Sequence, residues 1–189
     1  MSPEDISVIP NNSERYIGFE IGNFRFIDSC KFLNASLEAL VENLQRSGKD
    51  KFHFTRKSFK GSDSVFRKGV YPYEYMDKIE RFFETELPPR SAFYSKLNGR
   101  ELSEADYAVA LEAWKEFGCK KLKNYHDHYL KLDVTLLANV FENFREKAIG
   151  AYELDPVHYW TLPGYSWDAY LKYTGVKLEL LTEPDMYLS

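Results

Sequence analysis

Between Leu122 and Tyr152 the apolar positions recur with the period of a helix. Leu122, Tyr125, Tyr129, Leu136, Val140 and Phe144 fall on one stripe of a single long helix. Asp133 falls inside that stripe, one turn after Tyr129. An unpaired carboxylate is costly to bury, so Asp133 is expected to be paired, hydrogen-bonded or bound to a metal. Upstream, Ser36 opens a helix whose apolar face is Leu37, Leu40, Val41 and Leu44, with Gly48 just past its end. Ser103 with Asp106 makes a capping-box-like start to another helix, which runs through Tyr107, Leu111 and Trp114 to a stop at Gly118. Alternation replaces helical spacing near the N-terminus. Ile6–Ile9 and Tyr16–Ile21 read as strands around an Asn11-Asn12 turn, and Phe24–Asp28 as a third, with Phe24 and Phe26 on one face and Ile27 on the other. Gly61, Gly69, Pro72, Pro88 and Pro89 punctuate a loop-rich middle. Beyond Pro156, the stretch Leu162–Ala169 reads as a loop feeding a short helix, followed by an extended end.

These elements predict an α/β fold weighted to helix, with a few N-terminal strands and the Asp133 helix packed on them. The third strand would end in Asp28-Ser29-Cys30, polar groups at the tip where α/β sheets commonly hold ligands. A chain of 189 residues, 44% hydrophobic and 16% aromatic, is long and apolar enough to bury a real core. Two cysteines, Cys30 and Cys119, make no disulfide framework. The first twelve residues lack the apolar centre of a signal peptide, and no stretch is apolar enough to span a bilayer. The expectation is an intracellular protein with no membrane partner.

Charge changes the picture locally. The net charge is −4, yet Arg46–Lys68 carries eight Lys/Arg against two Asp/Glu, interleaved with Phe52, Phe54, Phe59 and Phe66. Cations among aromatic rings suit single-stranded nucleic acid, with its phosphates and unstacked bases. A solvated loop whose rings anchor it to the core fits the same composition, and slightly better.

Three residue groups carry candidate chemistry. Tyr129 and Asp133, four apart and both facing inward, can present a phenol and a metal-binding carboxylate to one phosphate. Two-metal phosphodiester hydrolysis needs several carboxylates, so Asp133 cannot do this unaided; a buried Asp capped by a neighbouring Tyr or Lys is the alternative. Lys68-Gly69-Val70-Tyr71-Pro72-Tyr73 offers a cation for charge developing on a phosphate, with Tyr73 set to contact a base or sugar; a surface lysine before a packed turn is the alternative. His126 and His128 diverge on a helix and make no zinc pair. No phosphate-binding glycine loop and no nucleophile elbow is present.

In chain order, Phe26-Ile27-Asp28-Ser29-Cys30-Lys31-Phe32-Leu33, Ser36-Leu37, Lys68–Tyr75, Tyr129–Ala138 and Pro163–Ala169 resemble the protein-primed family B DNA polymerases of viruses, linear organellar plasmids and self-synthesising transposons. The resemblance runs from near residue 6 to the end of the chain. It implies the C-terminal part of a 3′–5′ proofreading exonuclease domain of ribonuclease H-like fold over residues 1–152, and a connector toward a polymerase domain over 153–189. It further implies that Asp133 binds metal, Mg2+ or Mn2+ in the complete enzyme, that Tyr129 orients the attacking water, and that Lys68 is the catalytic lysine. Tyr73, Ser29 and Phe32 are implied to contact the single-stranded primer end of DNA. A terminal protein primer is implied as a second partner.

The chain departs from the family at Cys30, where leucine is frequent. It also lacks the first exonuclease motif, Asp-x-Glu on a strand, and the second, an Asn followed closely by Phe/Tyr-Asp. Both are expected upstream of residue 1, and the polymerase motifs downstream of Ser189. The segment by itself is therefore expected to be inactive, neither polymerising nor degrading DNA. A standalone single-strand DNA-binding module using Lys68, Tyr73 and residues 46–68 is the second expectation, and a helical interaction protein the third.

Overall fold

The computed structural model describes residues 6–12, 15–60, 62, 64–97 and 99–179. It is mixed α/β and weighted to helix, with one small antiparallel sheet. The chain divides into two compact units. The first comprises residues 1–34 and 144–189, the second residues 35–143. The division expected at residue 152 lies inside the first unit. The predicted turn at Gly61 lies outside the described residues, as does the end of the chain after residue 179.

In the first unit, β1 (Ile6–Pro10), β2 (Tyr16–Ile21) and β3 (Phe24–Ile27) form a meander in the order β1-β2-β3. Val8 pairs with Phe19, and Phe19 with Phe26, so these three share a face on which the two rings stack at 4.6 Å. The opposite face explains Gly18. A Cβ there would lie 2.4 Å from the Trp160 ring, so only glycine admits the indole. The Arg25 guanidinium sits 4.8 Å from the centre of the same indole. Helix α5 (Leu162–Thr174) ends at Gly175, in the left-handed conformation that closes a helix. Its Tyr165 hydroxyl donates to the Ala148 carbonyl at 3.2 Å, and Tyr165 and Ala169 are buried with Ala148. Arg145 grips Asp155 through two nitrogens, at 3.0 and 2.6 Å.

The second unit begins with α1 (Leu37–Arg46). Ser36 caps it by accepting from the Ala39 N–H, and Val41 and Leu44 are its buried positions. Helix α2 (His53–Ser58) is short. Helix α3 (Glu104–Glu116) starts at Ser103, whose hydroxyl oxygen accepts from the Asp106 N–H at 3.0 Å. It stops at Gly118, where φ of 58° lets the Cys119 N–H reach back to the Trp114 carbonyl. The long helix α4 (Leu122–Tyr152) then begins, with its first N–H donated to the Glu84 carbonyl at 2.7 Å. Phe93, Ala110, Cys119, Leu122 and Tyr125 form a core cluster between α3 and the start of α4. Its bounds are those the apolar period predicts. Along it Leu122, Tyr125, Tyr129, Leu132, Leu136 and Val140 are buried, Leu132 being an inward position the sequence stripe omits.

Among the described residues, no helix is long and apolar enough to cross a membrane. Both cysteines are free thiols.

Candidate functional site

The loop 68–73 lies against α4, and three contacts hold it there. Gly69 rests against the Tyr129 ring: a Cβ at this position would meet it at 3.0 Å. One residue on, the Val70 carbonyl accepts from the Tyr125 hydroxyl. Tyr71 stacks on Tyr129 at 4.7 Å, and its hydroxyl bonds to His126 Nδ1 at 2.6 Å. Burial, with Tyr73 beside it, pushes the Tyr71 phenol up to about 12. Tyr71 is therefore a neutral phenol that fastens the loop to α4.

This docking brings Tyr73, Lys68, Tyr129 and Asp133 together. Tyr73 is 63% exposed, yet its hydroxyl is 2.6 Å from that of Tyr129. Burial, then the bond to Tyr73, raises the Tyr129 phenol far above its ordinary range, so it keeps its proton and remains a donor. Asp133 is half-buried. Desolvation raises its carboxyl above the usual carboxylate range, against the opposing pull of the Tyr129 hydroxyl and the Lys68 charge. Its Oδ1 is buried and has no hydrogen-bond partner. A carboxylate oxygen left in this state costs free energy and calls for a physical reason, of which a bound ion is one.

An open cleft of about 340 Å³ adjoins these groups; Lys68, Arg67 and Arg100 line it beside Tyr73 and Tyr129, and so do four carboxylates, Glu38, Glu42, Glu101 and Asp106. Asp133 does not line it. Gln45 helps to shape the wall by donating from Nε2 to the Phe66 carbonyl.

Fitness for a metal divides in two. The orphaned Asp133 Oδ1 is a suitable oxygen ligand for a hard divalent cation, which takes six or more oxygens. One carboxylate cannot fill that shell, and among the described residues no group of three or more His, Cys, Asp and Glu is placed to hold a metal.

Ser29 and Phe32 belong to the first unit. Ser29 begins a short 3-10 turn in which Asp28 Oδ1 accepts from the Cys30 N–H. Phe32 is 4% exposed and packs 6.2 Å from Phe144, so its ring is a core contact and not an open stacking surface. The rings of the basic segment divide in the same way. Phe52 and Phe66 are buried, Phe59 packs edge-on to Phe117 and His128, and Phe54 is exposed. His128 lies 3.8 Å from the Phe117 ring, and burial holds its imidazole down at about 4, hence neutral at pH 7.

Sequence reasoning passed over two residues that build the site. Tyr125 and His126 secure the loop, and the first of these shows in the sequence only as one more apolar position. No family model, curated protein or solved structure matches this chain.

Proposed function

We propose that the chain is part of a protein-primed family B DNA polymerase and covers the C-terminal portion of its 3′–5′ proofreading exonuclease region, ribonuclease H-like in fold. The observation that carries this is the buried, unpartnered Asp133 Oδ1 beside a protonated Tyr129. It has the character of half a metal site, a ligand oxygen awaiting a cation and further carboxylates. Mg2+ or Mn2+ bound there would supply Lewis-acid polarisation and charge neutralisation at the scissile phosphate. The chain's own residues have narrower tasks. Asp133 offers one ligand. Tyr129 keeps a hydroxyl proton with which to orient a water or a phosphate oxygen. Lys68 supplies positive charge to the non-bridging oxygens. Tyr73, exposed and tethered through its hydroxyl, presents a ring to the terminal sugar or base of a single strand. A terminal protein primer would be a partner of the whole enzyme.

The test lies in the DNA on either side of this reading frame and in the protein extended to include it. The expected frame encodes Asp-x-Glu and a Phe/Tyr-Asp pair upstream and Asp-Thr-Asp-Ser downstream. The extended protein should then digest single-stranded 3′ ends with Mg2+, and Asp133→Ala should slow it at least about a hundredfold. Stop codons on both sides without these motifs, or digestion indifferent to Asp133→Ala, would overturn the assignment.

A further inference from the structure

Six cations between Arg46 and Lys60, opposed only by Asp50, are all exposed. Among the described residues Arg56, Lys57 and Lys60 enter no ion pair. Like charges this close repel, and a chain that keeps them together must hold the backbone there by other means. That hold is Asn139 of α4, 1% exposed. Its Oδ1 accepts from the Phe54 N–H at 2.9 Å, and its Nδ2 donates to Thr55 Oγ1 at 2.6 Å and to the Thr135 carbonyl at 2.7 Å. At the other end of α2, Lys131 Nζ donates to the Ser58 carbonyl at 3.2 Å and lies 5.0 Å from the Phe59 ring centre. The cations are thus carried on a fixed surface. Phe54 stands out from it, 39% exposed, among rings that are otherwise packed away.

The same helix carries Asp133. Asn139 is six residues further along α4, an axial rise of about 9 Å at 1.5 Å per residue, and about 120° round the helix from Asp133 at 3.6 residues per turn. A strand passing from one to the other therefore curves round α4 and needs at least about three nucleotides at roughly 3.4 Å each. We infer that α2 and the turns flanking it are a second contact for nucleic acid, in which Arg56, Lys57 and Lys60 hold the phosphates of a strand whose 3′ end lies at Tyr129 and Asp133, while Phe54 offers a face for one base. The inference takes its ligand class and strand direction from the function proposed above. It assigns to α2 the grip on the body of the strand, distinct from the groups that would handle the end.

The closing experiment separates the two contacts by length. Fluorescence anisotropy would compare thymidylate trimer and 16-mer on the full chain and on Arg56→Glu/Lys57→Glu/Lys60→Glu. All three side chains are exposed, and circular dichroism checks that the fold is kept. The expected result is that the 16-mer binds more tightly than the trimer. The triple variant should weaken the 16-mer more than tenfold and lower its log–log salt slope by about 2, leaving the trimer unaffected. Equal 16-mer affinity in the variant would overturn the inference and leave the strand-end site standing on the trimer. Competition by polyglutamate as effective as that by unlabelled oligonucleotide would also overturn it, since the face would then be a general polyanion or acidic-protein surface. Variant-sensitive 16-mer binding with no trimer binding at all would keep the α2 contact and remove the strand-end site.

Discussion

Asp155 and Asp133 are the same side chain, each partly buried, one in each unit, and they have opposite fates. Asp155 is held by Arg145 through two nitrogens and accepts from the Val157 N–H at 3.1 Å. These bonds, that to Arg145 first, hold its carboxyl below the usual range. Asp133 has desolvation as its dominant influence, a carboxyl raised above the usual range, and an oxygen with no partner. The contrast teaches what a finished structural carboxylate looks like in this fold. Asp133 lacks that set of partners. Deeper burial raises the Asp133 carboxyl, and partners lower that of Asp155.

The comparison can be broken most severely at Asp155. Arg145→Leu strips the arginine from a pair whose side chains are only 26% and 21% exposed. The uncompensated carboxylate should cost about 2–3 kcal/mol in urea unfolding. A loss below about 0.5 kcal/mol would mean that the pair is a surface ornament and no standard for judging Asp133. The next effect concerns whether the second unit leaves its buried polar groups unsatisfied in general. Arg81 Nε, like Asp133 Oδ1, is buried without a hydrogen-bond partner, whereas Asn139 is satisfied, and Asn139→Ala, by orphaning the Phe54 N–H and the Thr55 hydroxyl, should cost about 2 kcal/mol. A neutral outcome would make unsatisfied groups ordinary in this unit.

The smallest effect has the opposite sign. Asp133→Asn should raise the urea midpoint at pH 7. A carboxyl with a raised folded pKa has its full stability only while protonated, below the ordinary value of 3.8, and loses it as pH rises through the folded pKa. The gain from Asn should therefore shrink as pH falls toward 3.8. Asp155 runs the other way. Its depressed pKa makes its contribution complete above 3.8 and lost as pH falls through the folded value. A destabilising Asp133→Asn at pH 7 would show that the charge is satisfied and would dissolve the contrast.

Much of the scaffold was legible from local pattern. The bounds of α4, the Ser36 and Ser103 caps, the Gly118 stop and the three strands all follow from periodicity or capping chemistry that acts over a few residues. What sequence could not supply was pairing at a distance. Asn139 fixes Phe54, 85 positions away, and Tyr71 meets His126 across 55. Neither leaves a periodic trace, because each joins a helix to a loop whose path is set by packing. Lys68, Tyr73, Tyr129 and Asp133 were singled out by type and spacing, and the structure brings them together. The family resemblance implied a contact with DNA for Phe32, and its ring is buried against Phe144. Aromatic residues carry no mark in sequence that separates a stacking surface from a core anchor.

Gly69 has a consequence for heredity. Every single-base change that replaces this glycine with another amino acid adds a Cβ, and here that carbon arrives 3.0 Å from the Tyr129 ring. No first mutational step away from Gly69 is silent for Tyr129. Each such variant requires the ring to give by a few tenths of an ångström.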